Sequence, residues 1–492
     1  MMEGQRRGPL GQARAVGAVI LGRAAGATAR RLRLGAGTSL PGLVAARLDP
    51  AIIGHLAAQL RHGSFVVTGT NGKTTTSGLL AYTLRDAGLR VWRNREGANL
   101  LRGVAAALVI RARPNGHLRR HGNAAAVFEV DEAAFPAVVA EARPRVVVIT
   151  NLFRDQLDRY GEVETVIERW RAALAGLTET TTLVLNADDP AVAALGDRFA
   201  GRVRYFGVAD VLPAAGAHAE PANEVIDTRT CPRCQAPLTY DRRYYSHVGH
   251  WRCPACGNAR PVPTVAARAV TAGLDGSAFT LVAPAGEVAI TLPLPGLYNV
   301  YNAVAACAAA AVAGADLAAA RTALGRFAPA FGRGEQVAVD GRAVRILLAK
   351  NPTGLNEVLR ALASTPEGAG GCHLLLALND QPADGADVSW IWDANFEAVA
   401  ALARTVVASG TRAEDLALRL KYAGVPIATA DDTEAARYAI QPAIPAALDA
   451  ALARTGMGET LYIVPTYTAM LAVRAELERR GHAKRYWETA DA

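Results

Sequence analysis

The chain has 492 residues, 51% of them hydrophobic, and a formal net charge of +8. This length exceeds one ordinary hydrophobic core and favours roughly three domains. No apolar run approaches the ~20 residues of a membrane span, so the sequence predicts a soluble multidomain protein. The positive charge admits nucleic acid, an anionic membrane surface or an acidic substrate as a partner, and composition does not choose among them.

Residues 1–60 are predicted to form a basic, helical N-terminal segment. Its apolar piece, residues 15–21, is followed by further arginines at Arg23, Arg30 and Arg31, which is not the pattern of a cleaved signal peptide. Two interpretations stay open for the helix. It either rests on anionic lipid as a peripheral contact or packs on the next domain.

A phosphate-binding loop is predicted directly after the β-branched run at residues 64–68. A loop that leaves a strand and enters a helix points backbone N–H groups at an anion, and glycines let the backbone close around phosphate. Lys73 would reach the terminal phosphates, and the Thr74 hydroxyl would bind Mg²⁺. The general motif has glycine where this chain has Val67, so the match is partial. The loop residues are Gly69, Thr70, Asn71, Gly72, Lys73, Thr74 and Thr75.

Three further buried strands are predicted at 124–130, 146–150 and 182–185, each followed by polar residues. This pattern indicates a parallel α/β sheet with its site along the carboxyl edge of the strands. Glu129 is placed to bind Mg²⁺, which prefers oxygen ligands. Asp131 and Glu132 are alternatives, and a solvated acidic loop is the interpretation without function.

Four cysteines are arranged in two pairs with 18 residues between the pairs. Two such turns bring four thiolates to tetrahedral reach, which is typical of a structural zinc ribbon in a reducing cytosol. Arginines and tyrosines around the pairs fit either a nucleic-acid surface or a metal-stabilised hairpin. The predicted ligands are Cys231, Cys234, Cys253 and Cys256.

A further α/β unit is predicted from about residue 334, and its loop at 379–393 carries four aspartates and two tryptophans. Such a loop after a buried strand often carries binding or catalysis, and a solvated turn is the alternative. The predicted domains are 61–333, with an insertion at about 226–262, and 334–492.

The order of these motifs resembles that of Mur ligases, which activate a carboxylate as an acyl phosphate for attack by an amine. The resemblance implies a central parallel-sheet ATPase domain with an inserted zinc ribbon, followed by a C-terminal α/β domain. It also implies that Lys73 and Thr74 hold the ATP phosphates, that Thr74 and Glu129 hold Mg²⁺, and that further residues lie near the nucleotide. Those further residues are Asn186, Asp189, Asn302 and, at the domain junction, Arg333.

The four-cysteine insertion, the turn at 351–354 and the loop at 384–390 narrow the resemblance to the synthetase subunits of lipid II isoglutaminyl synthases. These subunits amidate the α-carboxylate of D-glutamate in lipid II, in the cytoplasm, with ammonia from a glutamine amidotransferase partner, GatD. The resemblance makes Asp387 the acid that orients the partner's catalytic histidine across the interface. It does not favour nucleic acid as a partner.

Two departures from amino-acid-adding Mur ligases accompany this resemblance. No lysine lies between Asn151 and Ala200, and the usual Asp-Tyr-Ala-His-Asn-Pro sequence is replaced by residues 347–352, Leu-Leu-Ala-Lys-Asn-Pro. Both departures argue against one rival, a free-standing Mur or folylpolyglutamate-type amino-acid ligase. A second rival is a non-catalytic protein that binds ATP, zinc and nucleic acid or serves as a scaffold.

Overall fold

The computed structural model describes most of the chain. The described ranges are residues 9–31, 39–94, 97–119, 121–154, 163–212, 226–328, 333–365, 368, 371–425 and 437–483.

The larger of two sheets is mostly parallel and carries the phosphate loop. Its strands are β1 (Ser64–Thr68), β2 (Arg90–Arg93), β3 (Ala124–Glu129), β4 (Val146–Ile149), β5 (Thr182–Asn186), β6 (Arg202–Val208), β9 (Val265–Ala272), β10 (Ser277–Ala283) and β11 (Gly286–Leu292). Their order is β11-β10-β9-β6-β5-β4-β1-β3-β2, and only the pairs β9–β10 and β10–β11 are antiparallel. Because β1 lies between β3 and β4, the order reverses there, and a crevice opens at the carboxyl ends of the strands.

Helices cover both faces of this sheet, so its strands are buried on both sides. Alternate residues of β1 enter opposite cores: Phe65 and Val67 lie in one, and Val66 lies in the other. This is why the parallel strands are continuous apolar runs. The helices are α1 (Pro9–Arg31), α2 (Leu40–Leu48), α3 (Ile52–Ala57), α4 (Lys73–Asp86), α5 (Leu101–Val109), α6 (Phe135–Ala142), α7 (Val163–Ala175), α8 (Pro190–Ala193), α9 (Leu297–Val312) and α10 (Leu317–Gly325).

The N-terminal helix packs on the protein, as the second interpretation of that segment predicts. Ala18 and Val19 of α1 are fully buried, whereas Ile20 and Leu21 are 45% and 52% exposed. Gly42 of α2 lies against the backbone of α5. None of the described helices has both the length and the hydropathy of a membrane span.

A second sheet follows the first in the chain and has the order β12-β13-β17-β14-β15-β16. Only β12 and β13 are antiparallel, and helices again cover both faces. The strands are β12 (Arg333–Val339), β13 (Arg342–Leu347), β14 (Cys372–Ala377), β15 (Ala403–Ser409), β16 (Tyr438–Ile440) and β17 (Thr460–Pro465). The helices are α11 (Pro352–Ala363), α12 (Glu397–Leu402), α13 (Ala413–Tyr422), α14 (Ile444–Arg454) and α15 (Tyr467–Arg479).

A separate two-stranded hairpin, β7 (Thr239–Tyr245) and β8 (Val248–Arg252), lies within the predicted insertion. The strands predicted at 64–68, 124–130, 146–150 and 182–185 are confirmed. Val67, where the general phosphate-loop motif has glycine, is buried inside β1 and pairs with Glu129 and Val148. The loop therefore begins after it.

We predict that Gly42→Ala destabilises the protein by about 1 to 3 kcal/mol, because overpacking forces backbone to move. A Cβ atom at Gly42 would lie 1.9 Å from the carbonyl oxygen of Arg102. Gly17→Ala in α1 is the matched control: a Cβ atom there meets none of the described atoms within 4 Å. That control should stabilise the helix by roughly 0.5 to 1 kcal/mol. Thermal unfolding measures the stability of both variants. Equal unfolding midpoints for Gly42→Ala and wild type would show that α2 does not pack on α5.

Candidate active site

The phosphate loop joins β1 to α4 and contains two glycines at positions where any other residue would be strained. Gly69 and Gly72 have φ angles of 132° and 85°. A Cβ atom on Gly69 would lie 2.2 Å from the Thr150 hydroxyl, and one on Gly72 would lie 2.0 Å from Asn302 Oδ1. The loop thus leads into the N-terminus of α4, the end of a helix that favours an anion.

The segment after β4, residues 150–153, holds this loop through backbone and side-chain hydrogen bonds. Thr70 N donates to Asn151 O (3.1 Å), and Asn71 N donates to Asn151 Oδ1 (2.8 Å). The Thr70 hydroxyl donates to Phe153 O (3.1 Å) and accepts from Phe153 N (2.9 Å). The amides of Thr70 and Asn71 are therefore used to fix the loop, and the shape of the loop depends on residues 150–153.

Lys73 and Thr74, the residues predicted to bind phosphate and Mg²⁺, each meet a carboxylate at or just after the end of β3. The Thr74 hydroxyl donates to Glu129 Oε1 (2.9 Å), which brings together the two groups predicted to bind Mg²⁺. Lys73 Nζ lies 3.0 Å from both carboxylate oxygens of Glu132 and donates to Gly69 O (2.6 Å). Glu132, an alternative Mg²⁺ ligand in the sequence, is thus the ion-pair partner of the lysine.

The residues predicted near the nucleoside divide into two groups. Asn302 lies against the loop, where its Oδ1 accepts from the Thr76 hydroxyl (3.2 Å). Asn186 and Asp189 are fully buried and bond to the protein: Asn186 Nδ2 donates to Thr150 O (3.0 Å), and Asp189 accepts from three backbone amides. Their direct contact with a nucleoside stays a prediction. Arg333 begins β12, and its side chain lies outside the described residues.

The second sheet meets the phosphate loop through a pair of asparagine amides. Asn351 Nδ2 donates to Asn71 Oδ1 (3.0 Å), and Asn71 Nδ2 donates to Asn351 Oδ1 (3.4 Å). Asn351 is also the N-cap of α11, where its Oδ1 accepts from Gly354 N (2.8 Å). The carboxyl edges of both sheets therefore face one junction, with the phosphate loop between them.

The four cysteines of the insertion converge, as their spacing predicts. Sulfur–sulfur distances are 3.7 Å for Cys231 and Cys256 and 3.5 Å for Cys234 and Cys253, and all four sulfurs lie within 4.8 Å of one another. Burial opposes ionisation of Cys231, but the backbone N–H groups of residues 233 and 234 lower its pKa to about 6.

The aromatic residues of the hairpin face the protein. The Tyr240 hydroxyl donates to His247 O (2.9 Å), the Tyr244 hydroxyl donates to Ala209 O (3.2 Å), and Tyr245 and Trp251 are buried. These rings hold the hairpin and are not a stacking platform for nucleic-acid bases. These contacts favour a hairpin that packs on the protein over a nucleic-acid surface.

Comparison with known proteins decides the family. The Mur ligase middle domain family matches residues 67–218, and the MurT ligase C-terminal family matches residues 348–470. The chain is 33% identical over 392 residues to the protein named lipid II isoglutaminyl synthase (glutamine-hydrolyzing) subunit MurT of Staphylococcus aureus strain COL, which covers 80% of this chain and 84% of that relative. The chain belongs to the MurT family.

A second MurT relative, from Streptococcus pneumoniae strain R6, is 32% identical and covers 91% of this chain and 94% of its own. Among solved structures, a pseudomurein peptide ligase type C from Methanothermus fervidus superposes with a TM-score of 0.62 at 23% identity, covering 85% of this chain and 78% of that one. MurF ligase from Thermotoga maritima, in complex with ADP, gives 0.59 at 13% identity, covering 88% and 84%. These likenesses show the Mur ligase fold.

The loop at 379–393 of this MurT-family chain carries exposed residues and is anchored by one buried aspartate. Asp384 is buried and accepts from Thr468 N (2.8 Å), which anchors the loop to α15. Asp387 is exposed, and its Oδ1 accepts from Ser389 N (2.8 Å). This amide and the Ser389 hydroxyl hold the pKa of Asp387 below its usual value, so the carboxylate is ionised at neutral pH.

His247 is a buried residue of the site that sequence reasoning missed. It lies at the turn between β7 and β8, fully buried, with Nε2 3.2 Å from Asp189 Oδ2. Burial alone lowers the pKa of His247, but the carboxylates of Asp189 and Asp227 outweigh it and raise the pKa above its usual value. The one available signal was a histidine in the turn of a predicted hairpin, a position that exposed polar residues usually occupy.

We predict that replacing His247 by Gln costs more stability at pH 6 than at pH 9. A raised folded-state pKa stabilises the protein fully below the unfolded value of about 6.5, and this contribution is lost as the pH rises through the folded value. Thermal unfolding midpoints of wild type and His247→Gln, measured at both pH values, test this. A difference that grows toward pH 9 would show that His247 is neutral in the folded protein.

Proposed function

We propose that this chain is the synthetase subunit of a lipid II isoglutaminyl synthase, which uses ATP and ammonia to convert the α-carboxylate of D-glutamate in lipid II to an amide. The observation that carries the proposal is the contact between the phosphate loop and the region that matches the MurT C-terminal family. Asn71 of the loop, two residues before Lys73, pairs there with Asn351, and Thr74 of the same loop bonds to Glu129. A phosphate loop opposed by a second α/β sheet encloses a place where two substrates can meet.

The first proposed step is phosphoryl transfer. A carboxylate oxygen of the substrate attacks the γ-phosphorus of ATP, the bond from that phosphorus to the β,γ-bridging oxygen breaks, and ADP leaves. Lys73 and the first-turn amides of α4 stabilise the charge on the transferred group, which is mainly an electrostatic task. Because Lys73 is paired with Glu132, we propose that it exchanges this partner for phosphate when ATP binds.

The second proposed step forms the amide. The nitrogen of ammonia attacks the acyl carbon, the carbon–oxygen bond to phosphate breaks, and one proton leaves the nitrogen. In this proposal, Thr74 and Glu129 hold Mg²⁺. When bound, the ion offsets phosphate charge.

We propose zinc as the ion of the four cysteines. A tetrahedral site with Zn–S bonds of about 2.3 Å has sulfurs about 3.8 Å apart, and the two measured separations are 3.7 and 3.5 Å. Four thiolates leave no open position for water, so the proposed role is structural.

We propose that the ammonia comes from a glutamine amidotransferase partner of the GatD type, which docks beside Asp387. This fits an exposed, ionised carboxylate that orients a histidine of another chain, as the acid of a catalytic triad does. Two exposed aromatic residues suited to an interface contact each other here: Trp392 of the loop and Tyr422 of α13 are 50% and 72% exposed, with ring centroids 5.7 Å apart. We propose that this chain amidates its lipid-linked substrate in the cytoplasm, at the inner face of the membrane.

We further propose that residues 61–333, with the hairpin insertion at about 226–262, and 334–492 act as two domains that close on the junction. The segment 1–60 then serves as a helical cover on the first. In this division Asn71 and Asn351 form a contact between domains that opens and closes during turnover.

One assay separates this proposal from its rivals. The purified chain is incubated with ATP, Mg²⁺ and lipid II, together with either ammonium at high concentration or glutamine and the amidotransferase. Amidated lipid II from both mixtures, and none from glutamine without the partner, supports the proposal. Transfer of an intact amino acid would identify a free-standing ligase. Salt-sensitive binding of nucleic acid without amidation would identify the scaffold protein.

We predict that Asp387→Asn abolishes glutamine-driven amidation while ammonium-driven amidation stays within about twofold of wild type, since loss of a triad acid costs orders of magnitude only where the partner's histidine acts. Asp393→Asn, an exposed aspartate of the same loop, is the matched control and should retain both activities. Loss of ammonium-driven activity in Asp387→Asn would show that the residue serves this chain's own chemistry.

A further inference from the structure

The turn of the β7–β8 hairpin is buried at the base of the phosphate loop. Ser246 and His247 are 2% and 0% exposed, whereas Cys234 and Cys256, at the other end of the hairpin, are exposed. The hairpin thus has two different ends. The four cysteines close its open end, and its turn is buried against the larger sheet.

His247 contacts two residues that support the phosphate loop. Its Nε2 lies 3.2 Å from Asp189 Oδ2, and its ring centroid lies 4.8 Å from that of Phe153. Asp189 accepts from Leu152 N (2.9 Å), and Phe153 exchanges two hydrogen bonds with the Thr70 hydroxyl. One residue, Phe153, therefore separates His247 from Thr70 of the phosphate loop, and the second path runs through Asp189 to Leu152, which precedes Phe153 in the chain.

Other hairpin residues fix the same turn after β5. Trp251 Nε1 donates to Ala187 O (2.9 Å), and Gly249 N donates to Asp188 O (2.9 Å). Arg260, just beyond the last cysteine, pairs with the Asp188 carboxylate. The hairpin therefore supplies partners to three consecutive residues, 187 to 189.

We propose that the cysteine-closed hairpin is a positioning device for the phosphate loop and that His247 is its positioning residue. An isolated two-stranded hairpin is marginally stable, so a metal that closes its open end keeps the turn in place. Without His247, the buried Asp189 loses a charged partner, and residues 152–153 lose the contact that fixes them under Thr70. The inference rests on the proposed ATP-binding role of that loop.

If the hairpin were only structural, removing His247 and removing His250 of β8 should affect the phosphate loop equally. His250 therefore provides the comparison. His250 belongs to the same hairpin and bonds through Nε2 to Val208 O (2.9 Å) on β6, away from residues 150–153. Removing it weakens hairpin attachment without changing the support of the loop.

The experiment measures ADP affinity by calorimetry on the full chain for wild type, His247→Ala, His247→Gln and His250→Ala, with zinc content and thermal midpoint recorded for each. We expect His247→Ala to weaken ADP binding by about tenfold or more, since a small misplacement of binding groups has effects of this size. His247→Gln should recover part of the loss, and His250→Ala should stay within about twofold of wild type. In the ammonium-driven reaction, KM for ATP should rise in His247→Ala while KM for lipid II stays constant.

Wild-type ADP affinity in His247→Ala, or equal losses in His247→Ala and His250→Ala, would overturn the proposal. Failure of wild type itself to bind ADP would instead overturn the proposed function. If His247→Ala does not fold, hydrogen–deuterium exchange on the native chain decides. Chelation of zinc should accelerate exchange at 69–72 and 150–153 and leave the second-sheet strand at 372–377 unchanged, and unchanged exchange at 69–72 would contradict the proposal.

Discussion

Two adjacent buried carboxylates, Asp188 and Asp189, impose the constraint on which the rest of the site depends. Both are fully buried, and an unpaired charge in such a position costs several kcal/mol. The protein meets this cost with Arg260, Tyr301 and the amide of Val208 around Asp188, and with His247 and three amides around Asp189. Two of these partners, His247 and Arg260, come from the insertion, so the insertion and the nucleotide-binding sheet fold around the same charges.

The shape of the phosphate loop depends on Asp189 through residues 151–153. Leu152 N bonds to Asp189, and residues 151 and 153 bond to Thr70 and Asn71. Lys73 is held on Glu132 by an ion pair of two largely buried side chains. In the proposed mechanism, this loop changes little on binding beyond the transfer of Lys73 from carboxylate to phosphate, and preorganisation of this kind lowers the cost of charge stabilisation.

Local features of the site were predictable from the sequence. A β-branched run before two glycines and a lysine located β1 and the loop, and polar residues at strand ends predicted the contact between Thr74 and Glu129. Cysteine spacing predicted the convergence of four sulfurs because each pair sits on one short turn. In each case the chemistry lies within a few residues of the secondary-structure signal.

Contacts between distant segments were not predictable in the same way. The antiparallel strands β10 and β11 extend the parallel sheet, and the pairing of Lys73 with Glu132 depends on how α4 and β3 are oriented. His247 is 58 residues after Asp189 in sequence, and nothing in the period of the hairpin indicates that its turn is buried. Asn186 and Asp189, predicted beside the nucleoside, also bond to the protein's own backbone, and these bonds depend on tertiary packing that the sequence does not show.

The most direct test of the account follows oxygen from substrate to product. Lipid II labelled with ¹⁸O in the α-carboxylate of D-glutamate is amidated with ammonium, ATP and Mg²⁺, and the released phosphate is analysed by mass spectrometry. An acyl phosphate intermediate predicts one ¹⁸O atom in phosphate for each amide formed. Amide formation with no ¹⁸O in phosphate, or with the label in AMP, would contradict it.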